Sequence, residues 1–178
     1  MLPGVYTATK KDGTIYYRSS ITYQNKHISL GSYASEDTAN QAYQKADALL
    51  RDPSVSFEHA LAHRGVLSFD KTVTLMNFRD NGVYIKTPIY LRRNYFEYFL
   101  SPTLILKFDI DDLFYYSSHR IQKRGGHLFV SDYGMQYNIL SRYGIKSHGV
   151  PGKDFRFVNE DFSDYRYSNI MIINPYFT

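Results

Sequence analysis

Side chains able to hold a cation, handle a proton or grip a phosphate gather in a few places along this chain. Asp109, Asp111 and Asp112 form an acidic cluster around a turn. Oxygen ligands of this kind suit magnesium, but carboxylates at alternate positions also cap helices, and capping is the role expected here. His59 and His63 stand one helical turn apart and would supply half of a metal site, with no third ligand evident. The densest group is the tail, where Asn159, Asp161, Asp164, Arg166, Ser168 and Asn169 fall within a dozen residues. Asp161 and Asp164 are expected to accept backbone hydrogen bonds in a turn, Arg166 to pair with one of them, and Ser168 with Asn169 to cap a terminal helix or turn. His119, His127 and His148 lie in the same half, and His148 comes shortly before the tail. The chain has no cysteine, so thiolate sites and disulfides are excluded and any metal must use His, Asp, Glu or Asn.

These residues need elements to position them. A length of 178 residues fits one domain or two small ones, and two small modules are expected. No apolar run approaches the ~20 residues of a membrane span, and the first residues lack a signal-peptide plan, so the expectation is a cytoplasmic protein without a membrane partner. A net charge of +4 mildly favours an anionic partner. With 18 Tyr and 12 Phe but no Trp, mostly alternating with polar residues, the aromatic inventory predicts a β-rich core. Any ring left exposed beside Lys or Arg could instead stack on an unpaired base.

The fold class expected is α+β. From Gly4 to Leu50 the pattern is a three-stranded antiparallel sheet backed by one helix. Asp12-Gly13 turns Val5-Tyr6-Thr7 into the strand Ile15–Ile21, and Gln24-Asn25 turns that strand into Lys26–Leu30. Ser35 caps a helix whose Ala39, Ala42, Tyr43, Ala46, Leu49 and Leu50 share one face, and Pro53 ends it. Gly4-Val5-Tyr6, Leu30-Gly31-Ser32-Tyr33, Glu36, Ala39, Ala42-Tyr43 and Ala46 together give residues 4–50 a register similar to the APETALA/ERF-type DNA-binding domain. In that family the outward face of the sheet lies in the major groove, which implies Lys10, Lys11, Tyr16, Arg18, Ser20 and Lys26 as nucleic-acid contacts. The chain has few arginines there, so weak or shape-driven binding is expected rather than bidentate guanine readout.

The expected organisation is residues 1–52 as this module, 53–87 as a linker and 88–178 as a β-rich second domain. Within the linker, Phe57–His63 fits a short helix and Asp80-Asn81-Gly82 a turn. Beyond it, strands are expected over Tyr95–Leu100, Leu104–Phe108 and His127–Val130, with a short helix over Asn138–Tyr143 ending at Gly144. Arg120, Lys123 and Arg124, followed by Arg142 and Lys146, form a candidate basic patch able to hold a phosphate backbone.

The tail resembles the end of an HNH nuclease finger, a ββα unit, with Asn159, Asp161, Asp164, Arg166, Ser168 and Asn169 in the family's register. The family's Asp-His pair, which ligates a divalent metal and deprotonates water, falls on Arg156 and Phe157. Arg156 would repel a cation and suit a phosphate. The resemblance therefore implies a nucleic-acid-binding protein of phage or mobile-element origin, descended from an HNH homing endonuclease but without standard metal-dependent cleavage and with no cofactor. Its partner would be DNA or RNA. One alternative is an anti-CRISPR inhibitor that binds a CRISPR effector–guide RNA complex or acts on its guide RNA. Another is an active nuclease with a relocated base, using magnesium with His148, Asn159, Asp161 and Asn169.

Overall fold

The computed structural model describes residues 2–175, in an α+β fold that divides into two units, one ending at Tyr84 and the other beginning at Ile85. The first unit opens with an antiparallel sheet of β1 (Val5–Thr9), β2 (Ile15–Tyr23) and β3 (Lys26–Tyr33), in that order. Asp12 Oδ1 accepts the Thr14 backbone N–H and fixes the first hairpin turn. Gln24 and Asn25, both at positive φ, make the second, a left-handed pair matched to the sheet's twist. Helix α1 (Glu36–Arg51) starts at Ser35, whose hydroxyl accepts from the Thr38 N–H, as its sequence predicts. Its Ala39, Ala42 and Ala46 are fully buried, so the helix lies close against Ile21, Ile28 and Leu30 of the sheet. Gly4 approaches α1 so closely that a Cβ there would come within 2.3 Å of the Tyr43 ring, and its φ of +75 favours glycine in any case.

Residues 53–87 are structured, contrary to the linker reading. Helix α2 (Phe57–Ala62) begins at Ser56 and helix α3 (Phe69–Asn81) at Ser68. Asp80-Asn81-Gly82, expected as a loop turn, is the end of α3, closed by Gly82 in the left-handed conformation. One tie between these helices and the end of α1 is Arg79. Its guanidinium donates to the carbonyls of Leu49 in the last turn of α1, of Asp52 at its C-cap and of Val55 in the loop that follows. The side chain is only 8% exposed.

The second unit contains three small antiparallel sheets. β4 (Ile89–Leu91), β5 (Tyr95–Ser101) and β6 (Leu104–Asp109) form the first, and a 3-10 turn over Ile110–Asp112 leads into α4 (Leu113–Ser118). β7 (Ile121–Arg124), β8 (His127–Asp132) and β9 (Met135–Asn138) form the second, followed by a 3-10 turn over Ile139–Tyr143 ended by Gly144. β10 (Phe155–Phe157) and β11 (Ile170–Ile172) pair as the third. A strand–strand–helix succession occurs at β5, β6 and α4. The tail itself runs strand, loop, a 3-10 turn over Tyr167–Asn169, and strand, with no α-helix among its described residues. The core is aromatic: Phe96, Tyr98, Phe108 and Tyr116 are fully buried, with the Phe108 and Tyr116 rings 4.3 Å apart. None of the described helices is long and apolar enough to cross a membrane.

Replacing Arg79 by Ala removes three charged hydrogen bonds made by a buried side chain and should cost about 2–4 kcal/mol. Urea unfolding of the variant checks this. A change within ~0.5 kcal/mol, as for an ordinary surface site, would return residues 53–87 to the status of a linker.

Candidate functional site

Two surfaces and one buried network hold most of the residues that the sequence singles out. The first surface is the side of the β1–β3 sheet turned away from α1. Strand register sets Tyr6 opposite Arg18 and Arg18 opposite Ser32, with Tyr16 beside them opposite Ala8. Arg18 donates to the Tyr16 hydroxyl at 2.9 Å, and its guanidinium lies 5.7 Å from the centre of that ring. Lys10, in the adjoining turn, sits 6.0 Å from the same ring, and Lys11 follows it, exposed. Tyr6 is 54% exposed. The first 35 residues carry Lys10, Lys11, Arg18 and Lys26 against the single carboxylate Asp12, which is bonded to the Thr14 backbone. Two of the six expected contacts differ. Ser20 is buried, at a register shift between β2 and β3, and its hydroxyl is shut away from solvent. Lys26 is exposed but lies over the Tyr84 ring at 4.7 Å.

The second surface is smaller than the sequence pattern suggests. Arg120, Lys123 and Arg124 are exposed around β7. Arg142 and Lys146 are engaged elsewhere. Arg142 donates to Asp112 and stacks 3.7 Å above the centre of the Tyr115 ring, while Lys146 pairs with Asp154 at 3.4 Å. Arg156 stands on β10, in a different sheet, exposed beside Met171. Phe157 is buried against Phe155, Phe162 and Tyr165.

The tail forms a closed network around Asp164, whose side chain is fully buried. Asp164 Oδ1 accepts from the backbone N–H and Nε of Arg166, and Oδ2 accepts from Arg166 Nη2 at 2.8 Å and Asn159 Nδ2 at 3.0 Å. A carboxylate offers about four lone-pair directions, and all four are taken. Asn169 donates to the Asp164 carbonyl and accepts from the Asn159 N–H. Asn159 in turn accepts from the Asp161 N–H, and Asp161 accepts from both the backbone and the hydroxyl of Ser163. Of the candidate catalytic groups, Asn159, Asp161 and Asn169 are thus brought together by bonds to one another's turn. His148 is not: it contacts Ser147 and the rings of His127 and Phe129. Among the described residues no group of three or more His, Asp or Glu side chains is arranged to hold a metal ion.

The acidic cluster near residue 110 is not a set of helix caps. Asp109 and Asp112 precede the 3-10 turn and α4 without a side-chain capping bond. Asp109 instead accepts from the Tyr167 N–H, and Asp112 from Arg142 and the Tyr167 hydroxyl. These long-range donors include a charged guanidinium, so they outcompete a local neutral N–H. His59 and His63 stack on each other at 4.2 Å on α2. Asp154 is a structural residue that sequence reasoning missed. Fully buried, it accepts from the Val150 N–H and the Asn174 side chain, and only its isolated position before Phe155-Arg156-Phe157 marks it.

No family model, no curated protein and no solved structure matches this chain.

The network has an acid limit. Burial would push the Asp164 carboxyl up, but the Arg166 side chain and backbone, the charge of Arg166 and the Asn159 amide outweigh it and hold the pKa below the ordinary 3.8. Asp161 is lowered by its bonds from Ser163, and Asp154 chiefly by the Val150 N–H. A lowered native pKa means that these groups give up stability as protons bind. Their contribution is complete above the ordinary value and falls away as pH drops through the lowered ones. Acid unfolding followed by circular dichroism should therefore begin below about pH 3.8, and Asp164→Asn should flatten its pH slope. Asp164→Ala should cost about 2–4 kcal/mol at neutral pH, less than a fully buried ion pair because Arg166 can turn to water.

Proposed function

We propose that this protein binds nucleic acid through the outward face of β1–β3 and does so without the metal-dependent cleavage of an HNH finger. The observation that carries the reading is the cluster of Arg18, Tyr16 and Tyr6 on that face, next to Lys10 and Lys11 and clear of any carboxylate but Asp12. Arginine held against an aromatic ring is oriented at little entropic cost, and the two together offer a cation for phosphate and a flat surface for a base. The likeness of residues 4–50 to APETALA/ERF-type modules supports the same face.

The reading against cleavage rests on hydrogen bonding in the tail. Asp164, Asn159 and Asn169 use their polar atoms on one another and on the turn, and Arg156 with Phe157 occupies the positions where the HNH pattern has its ligand and base. A guanidinium at such a position opposes cation binding and favours a phosphate. The exposed Arg156 is then a further backbone contact.

Binding should be electrostatic and salt-sensitive. Fluorescence anisotropy with duplex DNA and with structured RNA, at several salt concentrations, should show affinity falling linearly on a log–log plot. Arg18→Ala should weaken binding similarly across sequences and reduce the salt slope by about one ion. Added magnesium should produce no strand scission. Affinity unchanged by Arg18→Ala would remove the sheet face from the reading, and magnesium-dependent cleavage lost on replacing His148 would favour the nuclease alternative instead.

A further inference from the structure

A recess of about 300 Å³ opens where β9 meets the 3-10 turn behind it, lined by Gln136, Tyr137, Asn138, Ser141, Ile145 and Ser147 among others. The geometry points to this recess as a binding site for a nucleobase carrying a phosphate, separate from the β1–β3 face and not dependent on it. Five of these side chains are neutral amides or hydroxyls, and no carboxylate, lysine or arginine lines the recess. Neutral donors and acceptors are what the edge of a base requires, because the base itself presents uncharged donors and acceptors. Its size sits at the lower end of small-molecule sites.

Asn138 gives the independent sign of a missing partner. It is 4% exposed. Its Oδ1 accepts the Leu140 N–H, which fixes the amide's orientation and leaves Nδ2 as a buried donor with nothing to donate to. An unmade hydrogen bond of this kind is unfavourable, and the residue that carries it lines the recess. The same residue lines a second cavity of about 90 Å³ together with His127.

The surroundings supply the remaining parts of a nucleotide site. Phe129 pairs with Asn138 across the sheet, and the rings of Phe129, His127 and His148 form a cluster in which His148 lies 4.3 Å from His127 and 5.7 Å from Phe129. His148 directly follows Ser147 of the lining. Arg124 donates to Gln136 at 3.0 Å, so a guanidinium is fixed at the edge of the recess by one of its own lining groups. A sugar would also suit neutral hydrogen-bonding groups, but it would make no use of that cation. A nucleotide uses it through its phosphate. The nucleotide could come from a free pool or from an unpaired position in a single strand, and both present the same chemistry.

The test uses the full chain, adenosine, adenosine 5′-monophosphate and a single-stranded octanucleotide. Side-chain amide resonances of Gln136 and Asn138, both in the lining, should move on titration with the monophosphate. Gln136→Ala, at an exposed position, should weaken binding about five- to tenfold, the worth of one lost hydrogen bond. Arg124→Ala should weaken the monophosphate but leave adenosine unchanged, a split that a merely structural role would not give. An octanucleotide binding at least tenfold tighter than the monophosphate identifies the strand as the source, and equal affinities identify the free nucleotide. Arg18→Ala should leave all of these responses intact, so loss of duplex binding at the first face is scored separately. The assignment is overturned if millimolar monophosphate moves neither amide, or if Gln136→Ala and Arg124→Ala bind every probe as the parent does.

Discussion

A buried carboxylate that accepts four hydrogen bonds constrains the last third of the molecule more than any other single group. Asp164 has no contact with solvent, so its charge is tolerable only if donors surround it, and Arg166 and Asn159 supply them. Satisfying Asp164 fixes the rest of the tail. Asn169 must reach the Asp164 carbonyl, which places its Oδ1 on the Asn159 N–H and closes the loop between β10 and β11. The chain around Asp164 also docks on the edge of β6, with the Lys107 N–H donating to Ser163 and its carbonyl accepting from Tyr165. The residues that look most like catalytic machinery are therefore the ones whose polar atoms the fold already occupies.

The same criterion separates the arginines. Arg79 holds carbonyls at the end of α1, Arg142 holds Asp112 and covers Tyr115, and Arg166 holds Asp164. In each case the guanidinium's planar fork meets several acceptors at once, or an acceptor and a ring. Arg18 is different, because its partner is a phenol on the same strand and its charge stays turned to water. Arg124 is bonded to a neutral amide and likewise keeps its charge uncompensated. The net charge of +4 is thus unevenly spread, since Asp112 and Asp164 are paired with Arg142 and Arg166 while Arg18 and Arg124 are bonded to neutral groups.

How much of this was legible in the sequence depended on whether a residue's role was local. The β1–β3 hairpins and α1 could be read because Asp12-Gly13, Gln24-Asn25 and Ser35 act on neighbouring backbone, and the alanine face repeats at helical spacing. α3 could not, because Thr72, Val73, Thr74, Leu75, Met76 and Asn77 are all buried in succession. A helix enclosed on most sides shows no apolar stripe, and its threonines resemble strand formers. The acidic cluster misleads for the opposite reason. Capping is a sound local expectation, but the actual donors of Asp112 come from Arg142 and Tyr167, 30 and 55 residues away. The orphaned amide of Asn138 had no signal in sequence at all, since it arises from what the fold fails to place beside it.

The abundance of rings bears on binding only after burial has sorted them. Tyr98, Tyr116, Phe96, Phe108 and Phe155 fill the second unit, and several phenols work there as connectors as well as core: the Tyr98 oxygen accepts the Ile121 N–H, and Tyr143 donates to the Tyr165 carbonyl. Burial pushes the Tyr143 and Tyr116 hydroxyls up, and raises Tyr165 to about 12, so these groups stay neutral, and Tyr143 keeps its proton for donation. Tyrosine suits this role because it brings a large apolar face and one hydrogen-bonding atom on a side chain with few rotors. Base stacking can therefore draw only on the rings that escape this work. Tyr6 and Tyr16 on the first sheet, and Tyr137 with the Phe129 and His148 pair beside the recess, are such rings, and each set lies next to an arginine that no carboxylate has claimed.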